Sequence, residues 1–227
     1  MDIDVEQIES DSGQKIVFAS LVGSRVYGLE TETSDYDYAA YVVPGSDRPF
    51  DPDAIYRYKT SDDLPKCDIF LRLLKPVVQF YSSIMMIPTY TSIMYADNRI
   101  VDFINEHRNG LCNLSPYNTY RIALEHADRN LNYGRVKRQL ITIRDCGIIH
   151  NFMQSGDFEK CLYLDGDFLE IYRDLHDNPE STITTDNIRE LISFMYKDST
   201  RAFFREFKPN YDLFNSLISK VEEVANS

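Results

Sequence analysis

Asp35 and Asp37 stand on alternate positions in the stretch Ser34-Asp35-Tyr36-Asp37, and the Gly23-Ser24 pair precedes the first of them by about a dozen residues. On a strand, residues i and i+2 project from the same face, so the two carboxylates lie side by side. They repel unless a positive charge sits between them. A hard divalent ion such as Mg²⁺ supplies that charge, and it takes one or two carboxylates together with substrate phosphates. A bare Asp-x-Asp also suits two solvated acids at a strand edge. The surroundings favour the metal. Gly23-Ser24 follows an apolar run and opens a short helical turn, where backbone N–H groups and the Ser24 hydroxyl can receive phosphate. Asp68, in the apolar run "KCDIFLRL", is a lone acid that is costly to bury without a partner. A third metal-directed carboxylate explains it. Together these residues suit a metal-chelated triphosphate.

The elements that must position them can be read from the pattern. "KIVFASLVG" from Lys15 and "YDYAAYVVP" from Tyr36 are strands, the second stopped by Pro44. "IYRYK" and "KCDIFLRLL" read as two more, and "GSDRPFDPD" from Gly45 as a loop. "KPVVQFYSSIMM", from Lys75 to Met86, fits a helix with proline in its first turn. From about Asn98 onward the pattern is helical, punctuated by Gly110, Gly134, Gly156 and Asn178-Pro179. One segment, "TTDNIRELISFMYKDSTRAFFREF", reads as a single helix. Ser115 and Pro116 form a helix start. The expected fold class is α+β: a small mixed sheet with flanking helices over residues 1–97, then a helical half over residues 98–227.

The text "GSRVYGLETETSDYDYAAYVVP" resembles the polymerase β nucleotidyltransferase superfamily, and within it the RNA-repair-associated branch found in phages and bacteria. The likeness continues through Asp68, through Pro88, and into a helix carrying Lys137, Arg144 and then Gly156. The resemblance implies a nucleotidyltransferase that moves a nucleoside monophosphate from an NTP, ATP among them, to an acceptor hydroxyl, releasing pyrophosphate. It implies two Mg²⁺ or Mn²⁺ ions held by Asp35, Asp37 and Asp68, the catalytic acids. Gly23, Ser24, Arg25 and Tyr27 of the first motif, with Lys137 and Arg144, are then the substrate-binding residues. The acceptor is left open among an RNA end, a protein and a small molecule. Two positions depart from the pattern: Ala39 and Ala40 follow the aspartates where the family has a glycine, and Ser92 stands where a glutamate is common.

Other features bound the function. The formal charge of −12 repels nucleic acid in general. Yet Arg129, Arg135, Lys137, Arg138 and Arg144 fall in one stretch without an acid, which suits a triphosphate, an RNA backbone or a solvated basic face. Tyr27 suits base stacking or helix packing. Arg121 and His126 have the Arg-x₄-His spacing of a class of helical ribonucleases, which makes metal-independent RNA cleavage a rival activity. A non-catalytic nucleotide- or RNA-binding module is a third reading. Cys67, Cys112, Cys146 and Cys161 show no metal-ligand or disulfide spacing and read as buried thiols in a reducing compartment. With no long apolar run and no leader-like start, the expectation is a cytoplasmic chain without a membrane partner.

Overall fold

The computed structural model describes residues 4–32, 34–43, 55–58, 67–73, 87–88, 90–132, 135–178 and 180–226. The expected loop from Gly45 and the expected helix from Lys75 to Met86 lie outside these residues. The fold is α+β and divides into two compact units.

The first unit is built on a sheet. Helix α1 (Val5–Ser12) starts where the Asp4 side chain accepts from the Gln7 N–H and ends at Gly13, in the left-handed conformation. Strands β1 (Lys15–Val22), β2 (Tyr36–Val43), β3 (Ile55–Tyr58), β4 (Cys67–Leu73) and β5 (Ile93–Ala96) follow. Their order is β3-β4-β2-β1-β5, and β2 and β4 form the parallel pair. The sheet is therefore mixed. The four strands read from the sequence are β1 to β4; α1 and β5 are additions from the structure.

One face of the sheet packs Ile16, Tyr38, Ala40, Val42 and Ile69 against Val5 and Ile8 of α1. Because side chains alternate along a strand, Ala39 and Tyr41 point to the other face. There the Tyr41 ring stacks on Phe18 at 4.5 Å. Helix α2 (Asn98–Cys112) begins at Asp97, whose carboxylate accepts from the Arg99 N–H. Helix α8 (Tyr211–Ala225) packs on α2 and on β1, although it is the last element of the chain. Gly110 lies inside α2, not at its end. A Cβ there would sit 2.6 Å from the Leu213 Cδ2 of α8, so the glycine is a close-approach position. The sheet unit thus takes in two helices from beyond residue 97.

The second unit, Ser115–Pro209, is helical. It contains α3 (Pro116–Leu131), α4 (Val136–Ser155), α5 (Gly166–Asp177), α6 (Thr185–Leu191) and α7 (Asp198–Arg205). Pro116 is at the first helical position of α3 as expected, and Gly156 ends α4 with φ of 69°. The segment from Thr184 to Phe207 breaks into α6, a short 3-10 turn (Ser193–Tyr196) and α7. The Thr200 hydroxyl bonds the Phe194 carbonyl across this break. Phe152, Phe158, Phe204 and Tyr120 form an aromatic core, and the Tyr120 hydroxyl donates to the Met195 carbonyl. Cys112, Cys146 and Cys161 are buried, and none of the three is in a disulfide among the described residues. No helix among the described residues is long and apolar enough to cross a membrane.

Candidate functional site

β1 ends at Val22, and Gly23 turns the chain into a short 3-10 helix, Ser24–Tyr27. Gly23 has φ 78° and ψ −162°, a region that only glycine occupies at ease. The turn also lies hard against β2. A Cβ at Gly23 would come 3.1 Å from the Asp37 Cβ and Cγ and would overlap its Oδ2. The glycine of the first motif and the second aspartate of the Asp-x-Asp are therefore packed together. Gly23→Ala is expected to destabilise the protein by about 1–3 kcal/mol through backbone strain alone and to displace the Asp37 carboxylate. Urea denaturation of the two proteins checks this; equal midpoints would refute it.

Arg25 ties the motif to the aspartates. Its Nη2 donates to the Ser34 carbonyl at 2.6 Å and its Nε to the Asp35 carbonyl at 3.3 Å. Its guanidinium lies 3.9 Å from the centre of the Tyr36 ring. The same loop is shaped from within by the Thr31 N–H donating to the Ser34 hydroxyl at 2.8 Å. Arg25, expected to contact substrate, thus holds the approach to Asp35 and Asp37. Tyr27 is 4% exposed, which fits packing of the turn more than base stacking.

The register brings the acids to one face. Asp37 pairs with Val22 of β1 on one side and with Asp68 of β4 on the other. Residues directly opposite on neighbouring strands project the same way, so Asp37 and Asp68 share a face. Asp35, two residues before Asp37, precedes the first residue of β2 on that same alternation. It is exposed, whereas Asp37 and Asp68 are half-buried. This is the face opposite α1. Among the described residues, no group of three or more His, Cys, Asp or Glu side chains is gathered closely enough to hold a metal ion. The register puts Asp37 and Asp68 on one face; β2 begins at Tyr36, so Asp35 stands one residue ahead of the strand.

Lys137 and Arg144 belong to the second unit, on α4. Lys137 is exposed and, among the described residues, makes no ion pair. Arg144 is engaged. Its Nε and Nη2 donate to the Asp145 Oδ1 at 2.9 and 2.7 Å, while His126 Nδ1 lies 3.0 Å from Oδ2. Asp145 is 1% exposed, against 20% for the Arg144 side chain and 30% for His126. Burial pushes the Asp145 carboxyl up, but the Arg144 charge and the bonds from His126 and Arg144 outweigh it, and the net shift is below the ordinary aspartate range. Asp145 is the residue that sequence reasoning missed. It follows Arg144 directly, and nothing in "IRDCG" separates a buried acid from a solvated one. Arg121, in contrast, is exposed and pairs with Glu125 one turn away. Arg121 and His126 thus engage different partners. Arg138 bonds the Asn130 side chain at 3.2 Å.

Residues 1–47 match a family model described as RlaP, the RNA repair pathway DNA polymerase beta family. That segment spans α1, β1, the Gly23-Ser24 turn and all of β2, hence two of the three acids. The match is to a polymerase β-like nucleotidyltransferase family. No curated protein matches the chain.

Proposed function

We propose that the protein is a divalent-metal-dependent nucleotidyltransferase, with Asp35, Asp37 and Asp68 as its catalytic acids. The observation that carries this reading is the packing of Gly23 against Asp37, with Asp37 in register with Asp68. Two carboxylates on one sheet face, with Asp35 just ahead of the strand and a side-chain-free turn beside them, offer the oxygen donors that hard ions prefer. Those residues would hold Mg²⁺ or Mn²⁺; when bound, the ions neutralise triphosphate charge and stabilise the attacking and leaving oxygens.

The remaining roles fall to the chain itself. Gly23 leaves room for phosphate oxygens to approach the backbone, and the Ser24 hydroxyl offers them a donor. Arg25 fixes the loop that carries Asp35. The acceptor hydroxyl gives up its proton to water, its oxygen bonds to the α-phosphorus of an NTP, the bond from that phosphorus to the β-phosphate oxygen breaks, and pyrophosphate leaves. Incubation with each α-labelled NTP, Mg²⁺ or Mn²⁺, and cell lysate tests the proposal. Label should enter RNA, protein or a small molecule, and EDTA should prevent it. RNA cleavage that survives EDTA and is lost in His126→Ala would instead favour the ribonuclease reading, to which the Asp145 bond lends an oriented His126.

Lys137 is the better candidate on α4 for a triphosphate contact, since Arg144 is bonded to Asp145. Lys137→Ala should weaken NTP binding by about 1.5–3 kcal/mol, the range for hydrogen bonds to charged groups, which is roughly ten- to a hundredfold. Arg135→Ala, at the exposed start of the same helix, should leave NTP affinity near wild type. Titration calorimetry with Mg²⁺ separates the two; equal affinities in both variants would reduce the stretch to a solvated face.

A further inference from the structure

At one end of the second unit, the last turn of α3 and the 3-10 turn at Ser193–Tyr196 flank a cleft of about 390 Å³. Its size is in the lower part of the range for ligand sites. Leu131 gives it a buried apolar wall, while Asp128, Asn132, Arg189 and Tyr196 line it with exposed side chains. Tyr196 is the unusual member. Half of its surface, 50%, lies in solvent, yet it is held in place: its hydroxyl donates to Asp128 Oδ1 at 2.8 Å. Partial burial and the Asp128 carboxylate both push this hydroxyl up, so it keeps its proton and the bond persists. A half-exposed ring already fixed at its tip loses little freedom when a flat partner stacks on it.

The charge around the cleft runs against that of the chain. The net charge is −12, but the sequence from Arg129 to Arg144 holds five cations and no acid. Arg144 is taken up by Asp145. Arg129 and Arg135 are exposed, and neither forms an ion pair among the described residues. They stand three residues before and three after Asn132, so they flank the cleft. Arg189 lines it directly, and its bridge to Asp186 is an exposed pair of the kind that contributes little. Cations around an aromatic cleft suit a chain of phosphates that also carries flat rings. Asp128 adds a selection. Its Oδ2 has no partner among the described residues, and a carboxylate oxygen only accepts, so it favours a base with an exocyclic amino group. Unpaired bases presented in this way are what sequence-selective RNA recognition uses.

We propose that this end of the helical unit binds single-stranded RNA, with an amino-bearing base stacked on Tyr196 and bonded to Asp128 Oδ2, and with phosphates on Arg129, Arg135 and Arg189. The site needs no metal and does not depend on the role of Asp35, Asp37 and Asp68. Fluorescently labelled oligocytidylate and oligouridylate of equal length are titrated with the full chain in EDTA, over a series of salt concentrations. The two rings are alike, but only cytosine has an exocyclic amino group, so oligocytidylate should bind about three- to tenfold more tightly. Asp128→Ala should erase that preference. Tyr196→Ala should weaken oligocytidylate binding about five- to a hundredfold, the scale of one base–aromatic stack, whereas Tyr196→Phe should stay within about threefold of wild type. Arg129→Ala should flatten the slope of log affinity against log salt by about 0.7, one phosphate's worth on a single strand. Equal wild-type affinity for oligocytidylate, oligouridylate and heparin would reduce the face to unselective charge and overturn the proposal, and this arm needs no variant to fold. Tighter binding of oligodeoxycytidylate than of oligocytidylate would remove RNA as the partner, and oligocytidylate binding unchanged in Tyr196→Ala would remove the cleft as the site.

Discussion

Asp37→Asn is expected to lower nucleotidyl transfer by more than about a hundredfold while leaving the protein folded. The loss is on the scale set by removing one group that stabilises developing charge in a reaction. Asp37 is the acid that touches both other parts of the site: it packs on Gly23 and stands in register with Asp68. The stability effect should have the opposite sign. Asp37 and Asp68 are like charges on one face, and asparagine at position 37 removes the repulsion between them. Without divalent ions the melting temperature should therefore hold or rise, and with Mg²⁺ the wild type should gain stability that the variant does not. Label incorporation and melting curves, each with and without Mg²⁺, provide the check. Wild-type transfer in Asp37→Asn would remove the catalytic assignment, whereas a collapsed fold in the variant would recast Asp37 as structural.

The second large effect lies in the helical unit. Arg144→Ala leaves the Asp145 carboxylate buried, with His126 still bonded to its opposite oxygen. Breaking a buried pair from one side costs about 3–5 kcal/mol; with Arg144 one-fifth exposed and His126 retained, about 3 kcal/mol is expected. The pH dependence has a definite sign. The folded Asp145 carboxyl sits below the ordinary aspartate value of about 3.9. Its stabilisation is therefore fully present above that value and is lost as pH falls through the lower, folded value. Arg144→Ala should raise the folded value and so reduce the acid-side loss. Denaturant titrations of both proteins at neutral and at acid pH measure this. Unchanged stability at neutral pH would mean the pair contributes nothing net. Reduced NTP binding in Arg144→Ala also has to be judged against this destabilisation, which is why Lys137 is the cleaner probe.

The strands that carry the candidate acids were legible because their side chains are dense in β-branched and aromatic types and are bounded by Gly23 and Pro44. Helices α2 to α5 and α8 were legible from apolar periodicity and from Pro116 and Gly156. The single helix expected after Thr184 was too long a reading, since the 3-10 turn at Ser193–Tyr196 interrupts a run whose propensities do not mark the break. α1 is short and polar, and only the caps at Asp4 and Gly13 betray it. β5 has four residues, below the length at which alternation is informative.

By itself the sequence determined the types and order of the elements, the Gly-Ser turn, and the two acids placed two apart, because these depend on residues close in the chain. Only the tertiary structure decided that Asp68 falls opposite Asp37, that Gly23 is pressed against the Asp37 carboxylate, and that Arg144 is bonded to a buried Asp145. It also decided that α2 and α8 belong with the sheet. Each of these depends on strand register or on packing between residues far apart in sequence, where a shift of one residue would turn a strand's side chains to the other face.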